Sequence, residues 1–136
     1  VTSNTNASIV ELNTTTALQS PTRTIAIPTL TSNGLRFSGS ATSTGYLSLT
    51  NDGSMLVFTG VNTQNSTANV NTLNPRGVGT VDYDGNYALQ TVYNGTLTGS
   101  PQTRSATSLN NTNWFIGDQN GLYTNNASAP SPTSSC

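Results

Sequence analysis

The longest uninterrupted apolar run in this sequence is four residues, Met55-Leu56-Val57-Phe58. A run of that length fills a strand and falls far short of the roughly 18 to 20 apolar residues that a membrane span requires. The remaining apolar residues come in similarly short groups separated by Asn, Asp and Gly, and nowhere recur at the spacing of an amphipathic helix. The expected class is therefore all-β, with no membrane span.

Four hairpins are predicted from turn signals between these groups. Tyr46-Leu47-Ser48-Leu49 and Met55-Leu56-Val57-Phe58 flank Asn51-Asp52-Gly53, and the unbroken apolar second strand reads as buried on both faces. Val81-Asp82-Tyr83 pairs with residues 88–93 across Asp84-Gly85-Asn86. Trp114-Phe115-Ile116 pairs with Leu122-Tyr123, and Ile9-Val10-Glu11-Leu12 pairs with Thr24-Ile25-Ala26-Ile27. The expected core is Leu47, Leu49, Leu56, Phe58, Val81, Tyr83, Leu89, Trp114 and Ile116. At 136 residues the chain holds one such unit, residues 1–126, followed by a Ser/Pro/Thr-rich tail at 127–136.

Composition narrows function more than fold. Asn (18), Thr (25) and Ser (17) make up 60 of the 136 residues, and the chain has neither lysine nor histidine. Without His there is no Ser-His-Asp or Cys-His arrangement and no imidazole metal site; without Lys there is no Schiff base and no phosphate-binding lysine. No catalytic residue, metal site or cofactor is expected. With four Lys plus Arg against five acids, no basic face exists to meet nucleic-acid phosphates or anionic lipid. Disorder driven by high net charge is equally foreign to a chain of net charge −1.

Weak internal similarity accompanies the hairpins. Residues 11–20 align without gaps on 82–91, sharing Ala-Leu-Gln, and Val57-Phe58-Thr59-Gly60 aligns on Trp114-Phe115-Ile116-Gly117. Read as repeated units, these give about two antiparallel four-stranded blades, with a β-sandwich as the alternative. The segments Thr24-Ile25-Ala26-Ile27-Pro28, 35–53 and 56–62, then 76–86 and Arg104-Ser105-Ala106-Thr107, resemble in order the N-terminal blades of secreted β-propeller-like proteins of microbes and algae. The resemblance spans residues 9–124. It implies propeller-like sheets and carries no catalytic signature to transfer. A closed ring needs at least four blades, so it also implies that this chain is one piece of a larger protein or completes its sheets with another chain.

Six Asn-X-Ser/Thr sequons occur, at Asn6, Asn13, Asn65, Asn94, Asn110 and Asn126, all in expected loops. With Ser and Thr so abundant, roughly 5 or 6 would arise by chance, so glycosylation rests on compartment. A start at Val1 suits signal-peptide removal or an excised fragment. Cys136, the single cysteine, is expected to form a disulfide with a partner outside this segment. Asp82-Tyr83-Asp84-Gly85-Asn86 has the alternating oxygen side chains of a small calcium loop without a distal Glu, and reads better as a turn. Trp114 reads as core; with the tyrosines Tyr46, Tyr83, Tyr87, Tyr93 and Tyr123 it is also the candidate stacking surface for sugars. Two function classes remain. The first is a non-enzymatic extracellular structural glycoprotein of a cell-surface or filamentous assembly, partnered by copies of itself and by covalent glycans. The alternative is a carbohydrate-binding, lectin-like propeller module.

Overall fold

The computed structural model describes residues 3–125. In chain order these form β1 (Ser8–Glu11), β2 (Arg23–Ala26), β3 (Ser48–Leu49), β4 (Met55–Val61), a 3-10 turn at Val70–Thr72, β5 (Arg76–Asp82), β6 (Tyr87–Tyr93), β7 (Thr103–Ser108), β8 (Trp114–Asp118) and β9 (Gly121–Thr124). The class is all-β: a hairpin β1-β2, a four-stranded meander β3-β4-β5-β6 and a three-stranded meander β7-β8-β9, antiparallel throughout. Among the described residues no helix is long and apolar enough to cross a membrane. Asn126, Cys136 and the 127–136 tail lie outside the described residues.

The turns form where the sequence signals them. In the β3–β4 turn Gly53 takes φ 70°, its N–H donates to Thr50 O at 2.9 Å, and Asp52 Oδ1 accepts from Ser54 N at 3.1 Å. A glycine is needed there because a Cβ disfavours the left-handed region. The β5–β6 turn repeats the scheme with Gly85 at φ 84° and Asp82 Oδ1 accepting from Asn86 N at 2.8 Å.

The β3–β4 pairing is shorter than its apolar pattern predicts. Only Ser48↔Val57 and Leu49↔Leu56 pair, because Tyr46 turns its N–H to Arg104 O at 3.3 Å. The whole segment 44–51 lies along β7 in parallel: Thr44 Oγ1 donates to Thr103 O (2.8 Å), Thr107 Oγ1 to Leu49 O (3.1 Å) and Asn51 N to Ser108 O (2.9 Å). This seam joins the two larger sheets along one side. The second sheet therefore has three strands of its own, not the four of an expected blade. The Ala-Leu-Gln similarity is not a structural repeat: Ala17-Leu18-Gln19 lies in a loop, with Leu18 exposed at φ 52°, whereas Ala88-Leu89-Gln90 lies in β6. The other alignment does match like with like, since β4 and β8 are both interior strands.

Strand β4 is buried on both faces, as its unbroken apolar run predicts. Val57 points into a core shared with the three-stranded sheet, alongside Val78, Tyr93, Ala106, Trp114, Ile116 and Tyr123. Phe58 points the other way, into a second core with Ile27, Leu35 and Val81, flanked by Ile9, Ile25, Phe37, Tyr87 and Leu89. Each such side chain contributes about 1.5–3 kcal/mol when fully buried. On the second face β5 is stripped of side chains at Gly77 and Gly79, where a Cβ would sit 2.8 Å from Leu89 Cδ1 and 2.7 Å from Phe58 Cε2. Leu35 and Phe58 lie against that bare backbone.

Three expected core residues are exposed. Leu47 (56 %), Leu49 (57 %) and Tyr83 (94 %) face solvent. The two leucines lie at the β3 edge of the second face, where the short β1–β2 hairpin does not cover them, and Tyr83 lies beyond the end of β5 in the turn. Leu56 and Leu89 are partly buried, and Phe58, Val81, Trp114 and Ile116 are buried.

Candidate functional site

The scarce charges of this chain fall into two contrasting environments. One is fully enclosed. Arg76 at the start of β5 and Asp118 at the end of β8 form an ion pair, Nη1 to Oδ2 at 2.5 Å, with both side chains wholly buried. Tyr93 donates its hydroxyl to the same Oδ2 at 2.7 Å and lies 2.8 Å from Thr103 Oγ1; Arg76 Nη2 donates to Pro101 O at 2.7 Å. Burial, with the adjacent carboxylate, pushes the Tyr93 hydroxyl well above the ordinary tyrosine range. This cluster ties both sheets together and lies apart from the cavities described below, so its role is structural. The sequence hides it, because Arg76 and Asp118 are 42 positions apart. Its only local signal is a charged residue at the head of the Gly/Val-rich strand β5.

A second buried arginine, Arg36, is 6 % exposed and among the described residues has neutral partners: its Nε donates to Asn4 Oδ1 and its Nη1 to Asn6 Oδ1 at 2.8 Å. It secures the N-terminal segment beside the bridges Thr5↔Phe37 and Arg36↔Val61.

The open environment lies between the β1–β2 hairpin and the β5–β6 turn. A cavity of about 290 Å³ has Ile9, Ile25, Leu56 and Val81 as its apolar floor and Glu11, Arg23, Asp82 and Tyr83 among its rim. A second, about 530 Å³, is lined by Glu11, Arg23, Tyr83 and Asp84. The two share Glu11, Arg23 and Tyr83 and form one groove. Arg23 Nη2 donates to Asp84 O, fastening the hairpin to the turn. Four of the nine charged residues of the chain are gathered here, three acids and one arginine.

Asp82 is spent on its own turn, accepting from Asn86 N and, at 3.0 Å, from Asn86 Nδ2. Those bonds hold its carboxyl below the usual carboxylate range. The turn reading of residues 82–86 is thus the one the geometry favours. Among the described residues no group of three or more His, Cys, Asp or Glu could hold a metal ion. The side chains of Glu11, Tyr83 and Asp84 make no hydrogen bond among the described residues, so all three are available at the groove. Of the aromatic residues considered as a sugar platform, Trp114, Tyr93 and Tyr123 are core, whereas Tyr46 and Tyr83 are exposed. Tyr87 is half-buried and gives its hydroxyl to Asn33 O at 2.8 Å.

The asparagines of the five described sequons lie outside the strands and are exposed. In three the side chain folds onto the sequon itself. Asn13 Oδ1 accepts from Thr15 N (2.9 Å) and Thr15 Oγ1 (2.7 Å), Asn65 Oδ1 from Thr67 N (2.9 Å), and Asn110 Oδ1 from Thr112 N (3.1 Å). Asn6 Oδ1 is held by Arg36. In none of Asn6, Asn13, Asn65, Asn94 and Asn110 does Nδ2 donate a hydrogen bond among the described residues. Among the other described asparagines, Asn4, Asn62, Asn74, Asn86, Asn111 and Asn125 donate Nδ2 within the fold, whereas Asn33, Asn51, Asn69, Asn71, Asn113 and Asn120 do not.

Compared with known proteins, the chain matches no family model, no curated protein and no solved structure. The site rests on its own geometry.

Proposed function

We propose that this protein is a non-catalytic structural glycoprotein of an extracellular assembly, carrying N-glycans on its loops and associating with copies of itself. The observation that carries the reading is the exposure of the five described sequon asparagines, none of which commits Nδ2 to a hydrogen bond among the described residues. Oligosaccharide transfer attaches the glycan at that nitrogen. Glycosylation at Asn6, Asn13, Asn65, Asn94 and Asn110 would break no bond made by that atom.

Self-association is supported by the second face of the four-stranded sheet and by the sheet ends. Leu47 and Leu49 leave an apolar strip beside a hairpin too short to cover it, and a net charge of −1 gives two copies little reason to repel. Strands β6 and β9 end their sheets, where a neighbouring strand can pair. The strand order β3-β4-β5-β6 is that of a propeller blade, and in this reading neighbouring copies supply the remaining sheets.

The test is the native mass of protein purified without reduction, before and after glycosidase treatment. The expected result is a glycosylated assembly whose subunit mass falls toward 14.1 kDa on glycan removal. A folded, unglycosylated monomer of 14.1 kDa at high dilution overturns the reading.

A further inference from the structure

We propose that the groove between the β1–β2 hairpin and the β5–β6 turn is a binding site for a neutral pyranoside, with Tyr83 as its stacking face and Glu11, Asp84 and Arg23 as its polar contacts. This inference is independent of the assembly reading.

Tyr83, 94 % exposed at the lip of a concave surface, presents a ring face that no neighbouring side chain covers and that is open to stacking. The apolar face of a hexopyranose, a patch of ring C–H groups, matches that ring in size and polarity. The polar groups around it match the other face of a sugar. Glu11 and Asp84 each offer carboxylate oxygens with no partner among the described residues, and these accept well from hydroxyl donors. Arg23 supplies donors in the same 530 Å³ space, and its remaining N–H groups can give to ring or hydroxyl oxygens.

Charge narrows the ligand class further. Glu11, Asp82 and Asp84 outnumber Arg23, so the groove repels carboxylated or sulfated sugars and phosphate esters. A divalent cation is disfavoured because, among the described residues, the groove's carboxylates do not gather into a group of three that could hold one. The apolar floor of Ile9, Ile25, Leu56 and Val81 gives the adjoining cavity room for a second ring or an aglycone.

The experiment is a backbone-amide NMR titration of the full chain, after enzymatic removal of any N-glycans, with methyl glycosides of glucose, galactose and mannose in the millimolar range. Methyl glucuronide serves as the anionic comparison. At least one neutral glycoside is expected to shift Glu11, Arg23, Tyr83 and Asp84 together, and the glucuronide to bind more weakly. Tyr83→Ala should raise Kd by about tenfold or more with the melting temperature unchanged, since the side chain is exposed. Glu11→Gln should weaken binding without loss of fold. The proposal is overturned if no neutral glycoside shifts those residues, if Tyr83→Ala binds as well as the parent chain, or if the glucuronide binds as tightly. Because the titration uses chain freed of glycans, its failure leaves the mass and assembly test untouched.

Discussion

The four-stranded sheet has two faces, and they are finished differently. The first is closed by the three-stranded sheet: Trp114, Ile116, Tyr93 and Tyr123 interlock with Val57 and Val78, the tyrosine rings lie 4.7 Å apart, and a buried ion pair pins the end. The second is covered by a two-stranded hairpin and an irregular segment, leaving Leu47 and Leu49 in solvent and a groove beside the hairpin. A hairpin of four-residue strands cannot blanket a seven-residue one. The contrast places the fully closed core and the ion pair on one side of the sheet and, on the other, a smaller core bordered by the exposed chemistry. Both cores meet in β4, which explains why that strand carries the longest apolar run.

The largest effect that could break this contrast lies at the ion pair. Asp118→Ala leaves Arg76 charged and unpaired in a dry interior, which should cost about 3–5 kcal/mol in denaturant unfolding. A double replacement, Arg76→Met with Asp118→Leu, should recover much of that loss by removing both charges. A single substitution costing less than about 1 kcal/mol would show that water reaches the pair and that the first face is not closed.

A matched pair of truncations comes next. Ile116→Ala on the closed face should cost about 2–5 kcal/mol, whereas Leu49→Ala on the open face should change stability by no more than about 0.5 kcal/mol. Equal losses would mean that the second face is covered after all. If Leu49→Ala also weakens self-association at unchanged stability, the apolar strip is part of the contact between copies.

The sequence makes the hairpins legible because their determinants are local. Asn51-Asp52-Gly53 and Asp84-Gly85-Asn86 set the turns within a few residues, and period-two patterning fixes which residues share a face. It does not say what covers that face. Tyr46-Leu47-Ser48-Leu49 alternates correctly, yet its leucines are exposed because the covering hairpin, β1–β2, is too short. Ala17-Leu18-Gln19 and Ala88-Leu89-Gln90 show the same limit, since one tripeptide serves a loop and a strand according to its neighbours. The groove was half legible. Tyr83, Asp82 and Asp84 stand together in sequence, but Glu11 and Arg23 reach them only through the docking of β1–β2, and the Arg76–Asp118 pair is formed entirely by sheet packing.

Alkaline unfolding should distinguish the faces by a smaller margin. Burial raises the Tyr87 hydroxyl, on the second face, from 10.0 to about 12, and raises Tyr93, on the closed face, further still. A folded-state value above the unfolded one means that the unfolded chain loses its proton first. The stabilisation is therefore complete below pH 10 and drains away as pH climbs through 12 and beyond. Phenolate absorbance should show Tyr87 titrating before Tyr93, and Tyr93 only as the protein unfolds. Tyr93 ionising together with Tyr87 in the folded protein would contradict a closed first face.

The smallest expected effect compares the two turn aspartates. Asp52 accepts four hydrogen bonds: Oδ1 from Thr50 Oγ1 (2.7 Å), Ser54 N (3.1 Å) and Ser54 Oγ (2.8 Å), and Oδ2 from Asn111 Nδ2 (2.8 Å), which reaches across from the β7–β8 loop. Asp82 accepts side-chain and backbone bonds from Asn86, and the backbone N–H groups of Asp84 and Gly85 add to them. Both carboxyls are depressed below 3.8, Asp52 the further, with the Thr50 hydroxyl as its leading donor and Ser54 and Asn111 behind it. A depressed folded-state value contributes stability that is present above the unfolded value and lost as pH falls through the folded one. Asp52 is exposed and Asp82 partly so, and the contribution is slight and is read best from carboxyl chemical shifts. Asp52 should stay ionised to lower pH than Asp82, and Asn111→Ala should raise the Asp52 titration while leaving Asp82 where it was. If Asn111→Ala moves neither, the bond between the two sheets at that corner does not form in solution, and the seam along residues 44–51 carries the connection by itself.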